Sequence, residues 1–292
     1  MQQSLLLQQV SILSKNEMIA FVITSYERHQ YLKPLIRALE RQTRPPDAII
    51  LVDNLSESEE MKKTLKWCKN REVIIPTLRK RVSLDKARNI GIEFAMRVFN
   101  CDVIFVSEDA VYPSPTCIDN IYNFMGQFSK IGIVGPTHQA GVPQQDIIAG
   151  HELLQKLGSV FEECIRVNDY SEAEKIMRQI EESHEHLGRA VISVEGHLRA
   201  FRRSMIEKIG LPDDQFEYGW NSDTEYCGRA RHYGYETAVC YKAFIWHYRD
   251  QYYPLKTKKM WQIIGEKRTL EKFGSSLNFQ RYMKKGFKDH FY

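Results

Sequence analysis

Three short stretches of the chain carry side chains able to do chemistry. Glu108-Asp109 sets two carboxylates side by side directly after an apolar run, Asp102 to Val106 (D-V-I-F-V). Adjacent carboxylates that end a buried strand repel each other unless a cation or a set of donors compensates. A divalent metal facing a diphosphate would do so; so would a solvated turn with an arginine nearby. Gly219-Trp220-Asn221-Ser222-Asp223-Thr224-Glu225 is a second acidic knot, ahead of a helical stretch bearing Arg229 and Arg231. Asp223 and Glu225 there either cap the helix and answer its dipole or supply a general base beside a tryptophan wall. His247 closes the apolar run Phe244-Ile245-Trp246-His247-Tyr248, a setting where a histidine is ordinarily a hydrogen-bonded core residue. None of the motifs H-E-x-x-H, G-x-S-x-G, G-x-x-x-x-G-K-[ST] or G-x-G-x-x-G occurs, which disfavours zincins, α/β-hydrolases, P-loop NTPases and Rossmann dehydrogenases.

The elements that must position these residues follow from periodicity. Met18 to Thr24 is a continuous apolar run, as expected of a strand buried on both faces. Leu32, Leu35, Ile36 and Leu39 recur at helical spacing, and Pro45-Pro46 stops that helix. Ala48 to Val52 is a second buried strand ending at Asp53-Asn54; Glu57 to Lys69 reads as a helix and Glu72 to Leu78 as a third strand. Ser83 caps a further helix with Ala87, Ile90, Phe94, Ala95 and Val98 on its inner face, and Asp102 to Val106 is a fourth strand. Strands alternating with helices predict βαβ units and a parallel sheet, whose ligands bind beyond the carboxyl ends of the strands. Thr24-Ser25-Tyr26, Asp53-Asn54 and Glu108-Asp109 would meet there. His151 to Ala190 reads as a helical insertion or lid, with nine acids against five bases, and Tyr235 to Tyr248 as a strand.

Composition narrows the class. The chain has 292 residues, 43% hydrophobic and 27% charged, ordinary for a globular protein of one large α/β domain or two modest ones. No run of 18 apolar residues occurs, and the start lacks the features of a signal peptide, so a cytoplasmic location is expected. The six cysteines form no C-x-x-C pair, which removes metal-knuckle and thioredoxin-like readings. The net charge of +4 is uneven: Lys256 to Tyr292 holds ten Lys/Arg and three Asp/Glu, or +7, leaving −3 for the rest. That tail interleaves Trp261, Phe273, Phe279, Tyr282, Phe287 and Tyr292 among its lysines. It suits a helix on an anionic membrane surface, or one whose aromatics pack on the domain with Ile263, Ile264 and Leu270 inward. Its acidic interruptions argue against a nucleic-acid partner.

Taken in order, these pieces resemble glycosyltransferase family 2, the inverting nucleotide-sugar transferases of the GT-A fold. The resemblance rests on F-V-I-T-S-Y-E-R-H-Q-Y-L from Phe21, R-Q-T-R-P-P-D-A-I-I-L-V-D from Arg41 and Ala87-Arg88-Asn89-Ile90-Gly91. Val103 to Pro113 falls where the family has its D-x-D motif. Glu195-Gly196, Phe201-Arg202-Arg203, Gly210, Asp223-Thr224-Glu225 and His247 follow the catalytic half. Two positions depart from the pattern: Ser107 replaces the first Asp of D-x-D, and Asn54 the second acid after strand two.

The resemblance implies an α/β fold of GT-A type, with a mostly parallel central sheet flanked by helices, a helical insertion and a C-terminal helical tail. Residues 1–255 would form the catalytic domain: a nucleotide-sugar-binding half over about 18–135, then an acceptor half over 136–255 with its insert near 151–190. Residues 256–292 would be a basic aromatic extension, at most peripheral at the inner face of the membrane. Thr24, Tyr26, Asp53, Asn54, Arg88 and Glu108 would line the donor site, and Asp109 and His247 would hold a divalent cation, with Glu108 or a water completing the coordination. Asp223 would be the base, assisted by Glu225, and Trp220 and Glu225 would meet the acceptor. A mixed oxygen and imidazole set favours Mn2+ over Mg2+. The activity implied moves a sugar from a UDP- or dTDP-type donor to a glycan, lipid-linked or peptide acceptor hydroxyl. The alternative is a GT-A-like module that binds nucleotide or glycan without turnover.

Overall fold

The computed structural model describes residues 17–138, 150–216, 221–248 and 255–292. Its first half is built as the apolar pattern dictates. Strand β1 (Ile19–Ser25) is buried throughout. Helix α1 (His29–Glu40) turns Leu32, Leu35, Ile36 and Leu39 inward, and β2 (Ala48–Asp53) follows. Helix α2 (Glu59–Lys69) starts at Ser58, whose side chain accepts from Met61 N. The expected strand Glu72 to Leu78 is reduced to a single bridge, Ile74 to Ile50. Pro76 lacks the N–H that a longer ladder needs.

Helix α3 (Leu84–Val98) is capped by Ser83 as expected, but its inward face is different. Asp85, Arg88 and Asn89 are buried along with Ala87, Gly91, Ile92 and Ala95, while Val98 is 58% exposed. The helix points a polar stripe at the sheet edge, which costs burial of charge and needs partners.

Then come β3 (Val103–Glu108), β4 (Val111–Pro113), α4 (Cys117–Gln127), β5 (Ile131–His138), α5 (Gly150–Val167), α6 (Ser171–Ser183) and β6 (Gly188–Ala190). The chain continues as β7 (Leu198–Arg202), α7 (Arg203–Ile209), α8 (Ser222–His232), β8 (Glu236–His247), α9 (Leu255–Phe273) and α10 (Ser276–Lys284). The sheet runs β2-β1-β3-β7-β5-β8-β4, with β6 on β8. Parallel pairing joins β2, β1 and β3, and again β5 and β8. The short β4, β6 and β7 run the other way. Strand direction is therefore mostly shared, and the ends of β1, β2, β3, β5 and β8 gather at one edge. Because β7 is antiparallel, its beginning lies at that edge too.

One face of the sheet packs on α1, α2 and α4 through residues such as Phe21, Leu35, Met61 and Ile121. The other packs on α3, α7 and α8 through Val22, Ile92, Met205 and Tyr226. Helices α5 and α6, expected as a helical insertion or lid, pack on the sheet through an apolar cluster of their own. With Tyr112 and Phe244 of the sheet, Leu157, Phe161, Ile176 and Met177 make a third apolar cluster, and the Phe161 ring stacks on Trp246 at 4.7 Å. Buried Glu181 of α6 stitches this layer on, accepting from Thr116 Oγ1 at 2.7 Å and Phe244 N at 2.9 Å.

The tail also folds back onto the domain. Lys272 Nζ lies 2.8 Å from Asp213 and 3.1 Å from Glu225, and Phe279 and Met283 are buried. Tyr292 packs edge-on to Phe124, with its hydroxyl donating to Glu236 at 2.6 Å. The inward face expected of α9 is overturned: Ile263 and Leu270 are 66% and 49% exposed. That helix attaches by ion pairs, because Asp213 and Glu225 offer it charge. No helix among the described residues is long and apolar enough to cross a membrane. All six cysteines are buried and free.

Candidate active site

Glu108, the last residue of β3, stands at the centre of the polar edge. Its Oε1 lies 2.6 Å from His247 Nε2 at the end of β8 and 3.1 Å from His197 Nδ1 at the start of β7. Antiparallel register makes the second contact: Ser107 faces Leu198, so the next residues outward are Glu108 and His197, and Glu108 N donates to His197 O. The two imidazoles stack with centroids 3.8 Å apart. The network extends outward. His197 Nε2 is 3.1 Å from Glu195 Oε2, and His138 Nε2 at the end of β5 is 2.9 Å from the same oxygen.

This alternation of imidazole and carboxylate controls the charges. Burial opposes ionisation of Glu108, but hydrogen bonds from His197 and His247 outweigh it and hold its pKa far below the usual carboxylate range. For His197 burial opposes the charge, and the flanking Glu108 and Glu195 overcome it, raising the imidazole to about 9. Hydrogen bonds from His138 and His197 likewise hold Glu195 low. Donor atoms of Glu108, His197 and His247 all lie within 4.8 Å of one another, a spacing able to hold a metal ion.

Asp109 is not brought to this cluster. Successive residues at a strand end point to opposite sides, and Asp109 turns to accept from Ser25 Oγ at 2.6 Å and pair with Arg28 Nη1 at 3.1 Å. Burial pushes its carboxyl up to about 7, with Arg28 and Ser25 pulling the other way. Expected as the metal ligand, Asp109 is an internal tie between β1 and β3. Glu108 takes the place facing the histidines.

Asp223, in the first turn of α8, sits with Oδ1 2.8 Å from Arg199 Nη1 and 3.8 Å from Arg88 Nη1. Arg199 is wholly buried. Arg88, expected at the donor, pairs at 3.1 Å with buried Asp85 and donates to Gly196 O. The result is a buried quartet of two arginines and two aspartates, with only Asp223 reaching outward, 23% exposed. Gly196 belongs to the same construction, since a Cβ there would stand 2.5 Å from Asp223 Oδ2. Glu225 points elsewhere. It is bound by Arg229 Nη2 at 2.8 Å and by Lys272 of the tail, so it fastens α8 to α9 and is not brought to the polar edge. Trp220 lies outside the described residues.

Of the other residues expected at the donor, Thr24 is buried and donates weakly to Ser107 O at 3.4 Å. Tyr26 carries the Arg81 guanidinium 4.0 Å over its ring. Asp53 accepts from Ser56. Both ends of the Asn54 carboxamide are taken by the Val82 backbone, at 2.9 and 3.0 Å; Asn54 clips a loop down rather than facing a ligand. A cavity of about 450 Å3 adjoins the cluster, with His138, Glu195 and His197 at one end, apolar Val191, Val194 and Val239 within, and the bidentate Arg189–Asp289 pair among its walls. His138, His197 and Arg199 escaped sequence reasoning; the signal available was the E-x-H alternation immediately before a strand.

A family model described as "Glycosyltransferase like family 2" matches residues 16–268. The chain belongs to this family. Solved structures agree on the fold. GalNAc-T7 with UDP, GalNAc and Mn2+ is 14% identical with a TM-score of 0.59, over 80% of this chain and 44% of its own. The mannosyltransferase PcManGT from Pyrobaculum calidifontis, in complex with GDP-Man and Mn2+, is 13% identical with a TM-score of 0.54, over 91% and 67%. S. aureus TarS is 11% identical with a TM-score of 0.55, over 92% and 42%. The chain thus spans less than half the length of two of these three. By sequence, no curated protein matches it. Family 2 membership and these neighbours give the mixed sheet and its helices a GT-A architecture.

Proposed function

We propose that this chain transfers a glycosyl group from a nucleoside diphosphate sugar to an acceptor hydroxyl, in one displacement that inverts the anomeric carbon. The observation that carries the reading is the meeting of Glu108, His247 and Asp223 at one sheet edge in a member of this family. A UDP- or dTDP-linked donor would lie beyond β1 and β2, along Thr24, Tyr26 and Asp53. The cluster anchored on Glu108 and His247 fits a divalent cation, since its donors are a carboxylate and imidazoles at short spacing. Bound there, a cation supplies positive charge to the departing diphosphate, which then needs no protonation.

Asp223 takes the proton from the acceptor hydroxyl. Arg199 and Arg88 hold the carboxylate in place in the first turn of α8. Positioned proton removal contributes typically ~10²–10⁴-fold. The acceptor would be a glycan, lipid-linked glycan or peptide. The neighbours whose complexes contain UDP with GalNAc, or GDP-Man, each with Mn2+, support a nucleotide-sugar donor.

The test is nucleoside diphosphate release from a panel of nucleotide sugars, with Mn2+ and with EDTA. Release from one donor, dependent on Mn2+ and lost in Glu108→Ala, is the expected result; equal release in EDTA would overturn the cation's role. A second reading, binding without turnover, draws on Asn54, whose carboxamide is spent on Val82. It predicts donor binding without release for every donor and acceptor offered.

A further inference from the structure

We infer that His197 is a third protein ligand of the cation at Glu108 and His247, held in register by Glu195 and His138. The inference rests on the reading of that cluster as a cation site. Its observation is independent of the family pattern: His197 belongs to the start of β7, outside the D-x-D stretch and the β8 histidine.

Glu108 Oε1 meets two ring nitrogens, His247 Nε2 at 2.6 Å and His197 Nδ1 at 3.1 Å. An ion entering among these three atoms displaces protons from between them and meets a lone pair from each. The rings are stacked at 3.8 Å on the same side of the carboxylate, so both nitrogens are presented together without reorientation.

The opposite side of the His197 ring decides which nitrogen is free. Nε2 faces Glu195 Oε2 at 3.1 Å, and a carboxylate can only accept, so Nε2 carries the hydrogen. Displacement of the Nδ1 proton by the ion leaves a neutral imidazole whose lone pair on Nδ1 lies beside Glu108. His138 Nε2 donates to the same Glu195 oxygen at 2.9 Å, and fixes where that carboxylate stands. Carboxylate backing of a ligating imidazole sets the tautomer and raises its basicity. The same reasoning argues against a second ion among His138, Glu195 and His197, although their donor atoms are also close enough. It would need His197 to ligate through both nitrogens, and so to give up both protons.

Two imidazoles and one carboxylate disfavour Mg2+, which wants an octahedron of oxygens and sheds water reluctantly. Imidazole-rich sets suit first-row transition ions. Mn2+ is the ion to test.

The experiment titrates the full chain with Mn2+ alone and Mg2+ alone by calorimetry, and counts the nitrogens on bound Mn2+ by pulsed electron paramagnetic resonance. Wild type should bind Mn2+ more tightly than Mg2+ and show two histidine nitrogens. His197→Ala should show one, with weaker Mn2+ binding and a narrowed Mn2+/Mg2+ ratio. Glu195→Gln should keep two and lose affinity by about 10–100-fold, the usual effect of removing a backing partner. Melting curves in EDTA establish that both variants fold. Mn2+ bound through a single histidine in wild type overturns the inference and leaves the cation site standing. No Mn2+ binding in wild type overturns both.

Discussion

Asp223 and Glu225 stand two residues apart on one helix and do opposite work. Two residues along an α-helix is about 200° of rotation, so one carboxylate faces the polar edge while the other turns into the body. Asp223 remains 23% exposed beside Arg199; Glu225 is 1% exposed between Arg229 and Lys272. Asp223→Asn should keep donor affinity and lose about 10²–10⁴-fold in kcat, because the amide preserves shape but cannot accept the proton. Glu225→Gln should behave the other way, lowering unfolding free energy on the order of 1–3 kcal/mol through its stranded cations while turnover per folded molecule survives. Parallel donor titrations, single-turnover kinetics and denaturant melts on both variants test the assignment, which fails if Glu225→Gln loses turnover as Asp223→Asn does. The residue types were legible in the sequence. Which of the two faces the site was not, since both suit the first turn of a helix.

At the scale of elements, closeness of packing decides where polar groups end up. Helix α3 can lie against β1 only because Gly91 has no side chain: a Cβ there would stand 2.3 Å from Val22 Cγ1 and 3.2 Å from Val52 Cγ2. The same approach carries Asp85 and Arg88 beneath Asp223. Gly91→Ala should therefore destabilise by about 1–3 kcal/mol, as overpacking generally does, and should also displace the Arg88 pair. A lowered melting temperature with reduced turnover in the folded fraction is expected; an unchanged melting temperature would show that the helix yields freely. Glycine in the A-R-N-x-G stretch is visible in the sequence, but its neighbour across the interface is not. The strand Glu72 to Leu78 failed at this scale as well, its propensity overridden by Pro76.

Over the whole molecule, the basic tail is a fastening. Asp213 receives both Lys272 and Arg268 of α9 at 2.8 Å. Burial works against its charge, but Lys272 and Arg268 outweigh it and depress the carboxyl from 3.8 to about 2. A depressed acid adds stability that is complete above its unfolded pKa and disappears as pH falls through the folded one. Attachment of α9 should accordingly weaken between about pH 4 and pH 2, read as faster amide exchange in residues 259–284, and Asp213→Asn should show the weakening already at pH 7. Truncation before Lys256 should leave a chain that is insoluble or melts markedly lower, because Phe279, Met283 and Tyr292 pack into the domain. The membrane reading of the tail asks those aromatics to face outward. A truncated chain that stays folded but no longer sediments with anionic vesicles would restore it.

The sequence by itself determined the alternation of strands and helices, the helix cap at Ser83, and the edge where Thr24, Asp53 and Glu108 meet. These are consequences of apolar periodicity and local capping, which act over a few residues. Tertiary structure alone decided that Glu108 rather than Asp109 faces the histidines. It also brought His197, Arg199 and His138 to the site, His197 from 89 positions beyond Glu108. Register between β3 and β7 makes that contact, and register is a property of two strands together, which neither stretch of sequence carries by itself.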